Sequence, residues 1–300
     1  MILGVILGLL TALGHSLAYL ATRWFTQDRG RPTSQLLTLA HVWVGLVAVA
    51  MLPIVWPEEL GWDRRWMLPY VGLVGFFLIA QISLITSLKL ADASRIAPLL
   101  GLKVALLAII SVVLGARLGF MQWSGVGLAV ASAWVLNGVG GRLPWKATAL
   151  VVLACGCYAI ADTLILHTIE QAQQISGDTS LMRVPLWCVG VVYTGIGLIA
   201  AALLPFFGTR EPRAWRDATP YAMSWIFAMV FLYMTFSSLG TVLGAILQST
   251  RGLISIGLGV LLAQMGWHHL EQKHGASVIW RRLGAAALMT AAVALYVCGQ

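Results

Sequence analysis

Two basic side chains stand deep inside long apolar runs. Lys103 lies ten residues into a run covering about 94–114, and Arg251 ten residues into one covering about 242–263. A charge at mid-bilayer costs about 2.5–3.5 kcal/mol to insert on translocon scales, so it marks a functional site by default. Ten residues at about 1.5 Å each put the head beyond comfortable reach of an interface. The chemistry such a pair offers is capture of an anion, whether phosphate, carboxylate or an anionic headgroup. Arg brings a planar fork and Lys a point charge. The structural alternative is that each cation is neutralised by an acid or by capping carbonyls on a neighbouring helix.

Asp162 is the acid well inside a span. It is expected to pair with Lys103 or Arg251 when the site is empty, to titrate and couple transport to protons, or to form a static salt bridge. Two cations and one acid leave the set net positive. His15, near the middle of the first run, reads as a ligand, a proton relay or a packing histidine. Gln81, Gln248, Thr250 and Tyr233 are candidates to orient a bound molecule. Each equally suits hydrogen bonding between helices. His41 and His167 read as interfacial. No catalytic residues are expected, because one acid and one histidine make a poor acid–base set. His268, His269, His274 and Glu271 read as a short polar loop, so neither metal nor cofactor is expected. The four cysteines read as small buried hydrophobes.

The elements that must carry these residues follow from composition. Of 300 residues, 59% are hydrophobic and 10% charged, against about 25% charged in soluble domains. The chain needs lipid as its solvent. Ten apolar runs are long enough to cross a bilayer, at about 2–24, 36–56, 67–90, 94–114, 119–137, 147–169, 184–207, 218–239, 242–263 and 276–298. Backbone groups in lipid must pair internally and barrel-like alternation is missing, so the runs are predicted helices. The first run lacks a positive leading segment and reads as a retained span.

The net charge of +8 does not indicate nucleic acid, since no basic cluster or soluble module is present. Of the 19 basic residues, two are Lys103 and Arg251. Thirteen fall after the odd-numbered runs. The other four, Arg64, Arg65, Arg117 and Arg183, fall opposite. The positive-inside rule then puts both termini outside.

The chain also repeats itself. Pro69-Tyr70 and Ser87-Leu88 recur as Pro220-Tyr221 and Ser238-Leu239, at an offset of 151. Ala97 and Lys103 recur as Ala245 and Arg251, at 148. The halves are 1–140 and 147–300, joined by the Gly-rich segment 138–144. Five spans per half is odd, so the second copy enters from the opposite side. The expected architecture is all-α, with ten transmembrane helices in two inverted five-helix repeats. Such repeats characterise secondary transporters with a midplane site.

Ser94-Arg95-Ile96-Ala97-Pro98, Leu114-Gly115-Ala116-Arg117-Leu118, Gln122-Trp123-Ser124-Gly125 and Arg282-Leu283-Gly284-Ala285 resemble the drug/metabolite transporter superfamily, in its EamA-like ten-helix form. The resemblance spans the chain. It implies a transporter whose spans around Lys103 and Arg251 line a central cavity, in a bacterial inner membrane. Two departures stand out. Ala116-Arg117 sits where the family often has Glu, and the charge count opposes the usual cytoplasmic termini. The expected function is alternating-access transport of a small anionic metabolite by a monomer. The competing readings are a flippase or exporter of a lipid with an anionic headgroup, an exporter of a neutral metabolite or amino acid, and an intramembrane enzyme acting on a lipid phosphate.

Overall fold

The computed structural model describes residues 1–90, 99–137, 144–264 and 276–299. The Ser94–Pro98 motif, the 138–143 part of the linker and the His268–His274 loop lie outside them. The described residues hold helices and no strands. In chain order these are α1 (Ile2–Arg23), which runs into a π-helical turn (Trp24–Asp28), α2 (Thr33–Val55), α3 (Arg64–Leu90), α4 (Leu102–Val113) and α5 (Phe120–Asn137). After the linker come α6 (Trp145–Ser176), α7 (Arg183–Phe207), α8 (Pro212–Ser249), α9 (Arg251–Gln264) and α10 (Ala276–Cys298).

Among the described residues six segments are long and apolar enough to cross a membrane: Ile2–Asp28, Thr33–Val55, Arg64–Ser87, Trp145–Ser176, Arg183–Phe207 and Pro212–Ser255. Leu102–Val113 and Gly284–Cys298 are apolar but shorter. The outward faces carry large apolar side chains such as Ile54, Leu68 and Phe120. Only a lipid environment makes such a surface favourable. The protein is an integral membrane protein.

Two breaks interrupt the helical rods. At Gly240 the backbone takes φ 75° and ψ 170°, a region essentially reserved for glycine. α8 therefore bends between Leu239 and Thr241, where the sequence reading separates two spans. At Thr250 the rod tightens again. Its N–H bonds Leu247 O at 3.0 Å and its hydroxyl bonds the same carbonyl at 2.7 Å. The run predicted over 242–263 is thus two pieces, with Arg251 opening the second. Lys103 has a like position, second in α4 after the turn at Gly101.

The main helix packings join elements from before and after the linker. α1 lies along α8, α3 along α6, α2 along α7, and α5 along α10. A large core gathers buried side chains of α1, α2, α3, α6, α7 and α8. A second core joins α4, α5, α10 and the part of α8 beyond Gly240. Ala161 belongs to the first core and Ala159 to the second. The polar set around Asp162 therefore lies where the two cores meet.

Candidate functional site

Asp162, on α6, is 5% exposed. A carboxylate at that depth is tolerated only with a partner. Lys103 supplies one, with Nζ 2.5 Å from Asp162 Oδ2. The same ammonium donates to Gln248 Oε1 at 3.0 Å and sits 5.9 Å from the Tyr158 ring centroid. Lys103 thus joins α4, α6 and the end of α8. Its side chain keeps 14% of its surface exposed.

Arg251 stands differently. Its guanidinium lies 5.5 Å from the Tyr19 ring centroid, and its carbonyl accepts a 2.8 Å hydrogen bond from Ser16 Oγ. Among the described residues no carboxylate lies within ion-pair reach of it. His15, one residue before Ser16, is buried. Its Nδ1 bonds Thr11 O at 2.9 Å, and its ring meets Trp225 edge-on at 5.4 Å. Both cations act electrostatically on His15 and on Asp162. Lys103, Arg251, Asp162 and His15 therefore share one electrostatic neighbourhood. Each cation also lies in the first turn of its helix, where the helix dipole adds positive potential.

The remaining expected residues divide. Gln248 joins the site through Lys103. Thr250 bends the backbone, its hydroxyl committed to Leu247 O. Tyr233 is buried in the large hydrophobic core. Gln81 is half-buried on α3 and makes no hydrogen bond to the charged set.

Two readings need correction. His41 is buried, not interfacial. Its Nδ1 bonds Leu37 O at 2.7 Å and its ring meets Trp225 and Phe77. It sits on the inward face of α2, which helix position alone did not reveal. Cys298 is exposed, although Cys155, Cys157 and Cys188 are buried; α10 turns that face outward. Trp66 and Trp187 bury against each other, with ring centroids 5.0 Å apart.

Tyr158, Tyr19 and Ser16 were missed. A signal for the tyrosines was present. Tyr158 lies four residues before Asp162, and Tyr19 four after His15, so each shares a helix face with its charged or titratable neighbour.

Residues 2–138 match the model of the EamA-like transporter family. The match covers just under half of the chain, and over that part the chain is similar to a family of membrane transporters, consistent with the drug/metabolite transporter superfamily. No curated protein matches it. A solved structure described only as "Crystal structure of protein" superposes with a TM-score of 0.65 at 15% identity, covering 95% of each chain. At that identity the likeness shows the fold alone.

Proposed function

We propose that this is a secondary transporter moving a small anionic metabolite by alternating access at a midplane site. One observation carries the reading. Asp162 balances Lys103, while Arg251 has no carboxylate among the described residues. The set keeps a positive charge, and its guanidinium fork suits a carboxylate or phosphate. Asp162 then competes with the anion for Lys103, which gives the site a way to release its cargo.

The packing supports an inverted repeat of ten spans with its halves interleaved. α1 lies on α8 as α6 lies on α3, and α1 meets α9 as α6 meets α4. Lys103 and Arg251 open corresponding helices. Alternating access then moves two mixed bundles, α1–α8–α9 and α6–α3–α4, about the site between them. Fusion of the halves removes the need for a second copy, so the working unit is a monomer. The basic loops put both termini outside a bacterial inner membrane.

The test is uptake by proteoliposomes holding the full chain, with a panel of small carboxylates and phosphates and with neutral amino acids. Arg251→Ala should abolish anion uptake, a loss of at least thirty-fold for a desolvated charge contact. Mass spectrometry of the purified protein separates a free metabolite from a lipid headgroup. Wild-type uptake rates for Arg251→Ala would end the anion reading, and a retained anionic lipid would move it to a flippase.

A further inference from the structure

Four aromatic side chains from four helices close a ring beside the charged set. His41 on α2 meets Phe77 on α3, with ring centroids 6.4 Å apart, and Trp225 on α8 at 6.1 Å. Phe77 meets Tyr193 on α7 at 6.5 Å. Trp225 completes the circuit, its Nε1 donating to Tyr193 Oη at 3.1 Å. The three ring pairs are inclined at 61°, 63° and 76°. The members therefore stand as walls and do not stack on one another.

A backbone crossing fixes two of these walls. A Cβ on Gly45 would stand 2.7 Å from Gly197 Cα, and one on Gly197 would stand 2.6 Å from Gly45 Cα. Only glycine lets α2 and α7 touch there. His41 lies four residues before Gly45, and Tyr193 four before Gly197. Each therefore sits one turn from the crossing, on the same face as its glycine. The other two walls turn away from lipid. Trp225 lies two residues from the outward-facing Met223 and Phe227, and Phe77 two from the outward-facing Ile79. Two residues are about 200° of helix, so both rings point inward. Both are nevertheless only half-buried, and their free surface opens within the bundle.

The ring adjoins the charged set on two sides. Tyr158, which Lys103 Nζ faces at 5.9 Å, meets Phe77 at 6.2 Å. His15, whose neighbour Ser16 holds the Arg251 carbonyl, meets Trp225 at 5.4 Å. One polar atom of the ring is unspent. His41 Nδ1 bonds Leu37 O at 2.7 Å. A carbonyl only accepts, so Nδ1 carries the hydrogen and Nε2 the lone pair. His41 is 7% exposed, and its Nε2 has no hydrogen-bond partner among the described residues. A buried acceptor without a donor is costly, and a guest that donates to it recovers that cost.

We propose that Phe77, His41, Trp225 and Tyr193 form the second half of the binding site and hold the flat body of the cargo, which is an aromatic acid bearing a ring O–H or N–H. The acid group sits on the charged set, the ring lies among the four walls, and the ring donor meets His41 Nε2. Aromatic walls reward a planar guest through edge-to-face contacts beyond its buried area. A phosphate ion or a short aliphatic acid would leave both the walls and the Nε2 acceptor unused. The inference rests on the anion reading and names the class of acid.

The experiment measures binding by calorimetry to the full chain in lipid nanodiscs. The probes are 4-hydroxybenzoate, benzoate, cyclohexanecarboxylate and inorganic phosphate. Benzoate should bind about three- to ten-fold tighter than its saturated counterpart, the increment expected of aromatic pairing. The added hydroxyl of 4-hydroxybenzoate should contribute about ten-fold more, and phosphate should be the weakest. His41→Phe keeps a ring but removes the acceptor. It should erase the hydroxyl's advantage while benzoate still outranks cyclohexanecarboxylate. Trp225→Leu should erase that ranking. Equal affinities of the wild-type chain for the three ring acids would overturn the proposal, as would binding of none of them. A hydroxyl advantage that survives His41→Phe would overturn it too. Arg251→Ala keeps the two readings apart. Acid binding that depends on Arg251 but shows no ring preference refutes only the aromatic half. A ring preference with undiminished acid binding in Arg251→Ala refutes only the anion half.

Discussion

The two arms of the site match in position and differ in charge. On one, Lys103 opens α4, bonds Asp162 and faces Tyr158. On the other, Arg251 opens α9, faces Tyr19 and has His15 in its electrostatic range. A carboxylate occupies one arm where an imidazole occupies the other. The two arms therefore carry one cation paired with a carboxylate and one with no carboxylate partner among the described residues. The difference separates two jobs that symmetry alone would merge. Lys103 and Asp162 hold α4 to α6, and on the proposed function Arg251 is left for the ligand.

The largest expected effect tests the satisfied arm. Lys103→Ala leaves a buried carboxylate alone and should lower stability by about 3–5 kcal/mol, read as thermal melting in detergent. Adding Asp162→Asn should recover most of that loss. Arg251→Ala abandons no carboxylate and should cost under about 1 kcal/mol in the same assay. Equal melting losses for the two alanine variants would erase the distinction between the arms.

The next effect sharpens it. Arg251→Lys keeps the charge but loses the fork, and should weaken anion binding roughly ten-fold by calorimetry. An unchanged affinity would mean the guanidinium geometry does not matter. Asp162→Asn removes the internal competitor. Anion affinity should rise about five-fold while turnover falls, because attraction by the carboxylate no longer helps Lys103 let go. A weaker affinity would instead show that Asp162 holds Lys103 in place for the ligand. The smallest effect is expected for Gln248→Ala. It removes one hydrogen bond to Lys103, worth about 1.5–3 kcal/mol to a charged donor in isolation and less here because Asp162 remains. Uptake should fall a few-fold with melting nearly unchanged.

Much of the site was legible because burial of charge in lipid is costly. Lys103, Arg251 and Asp162 stand out in a chain with charge on 10% of its residues. Gln248 could be flagged as polar but not placed, since its role depends on α8 returning past α4, 145 residues away in sequence. Tyr233 and Gln81 looked equally eligible and fall elsewhere, because a single polar residue on an apolar helix does not reveal which way the helix faces. His41 was misjudged for that reason. The Gly240 break was readable as a gap between spans. The bend at Thr250 was not, because threonine is no strong breaker and its effect comes from a local hydroxyl-to-carbonyl bond.

By itself, the order of apolar and polar residues determined that the chain is helical, that it lives in a membrane, and that its charges at depth are few and paired by offset. Those conclusions follow from local costs: unpaired backbone in lipid, and charge in a low dielectric. Tertiary structure alone decided which carboxylate meets which cation, and that the principal packings run across the linker. It also decided that α2 and α7 touch through two glycines. These depend on helix rotation and crossing, set by contacts summed over many side chains at once, and no single stretch of sequence carries them.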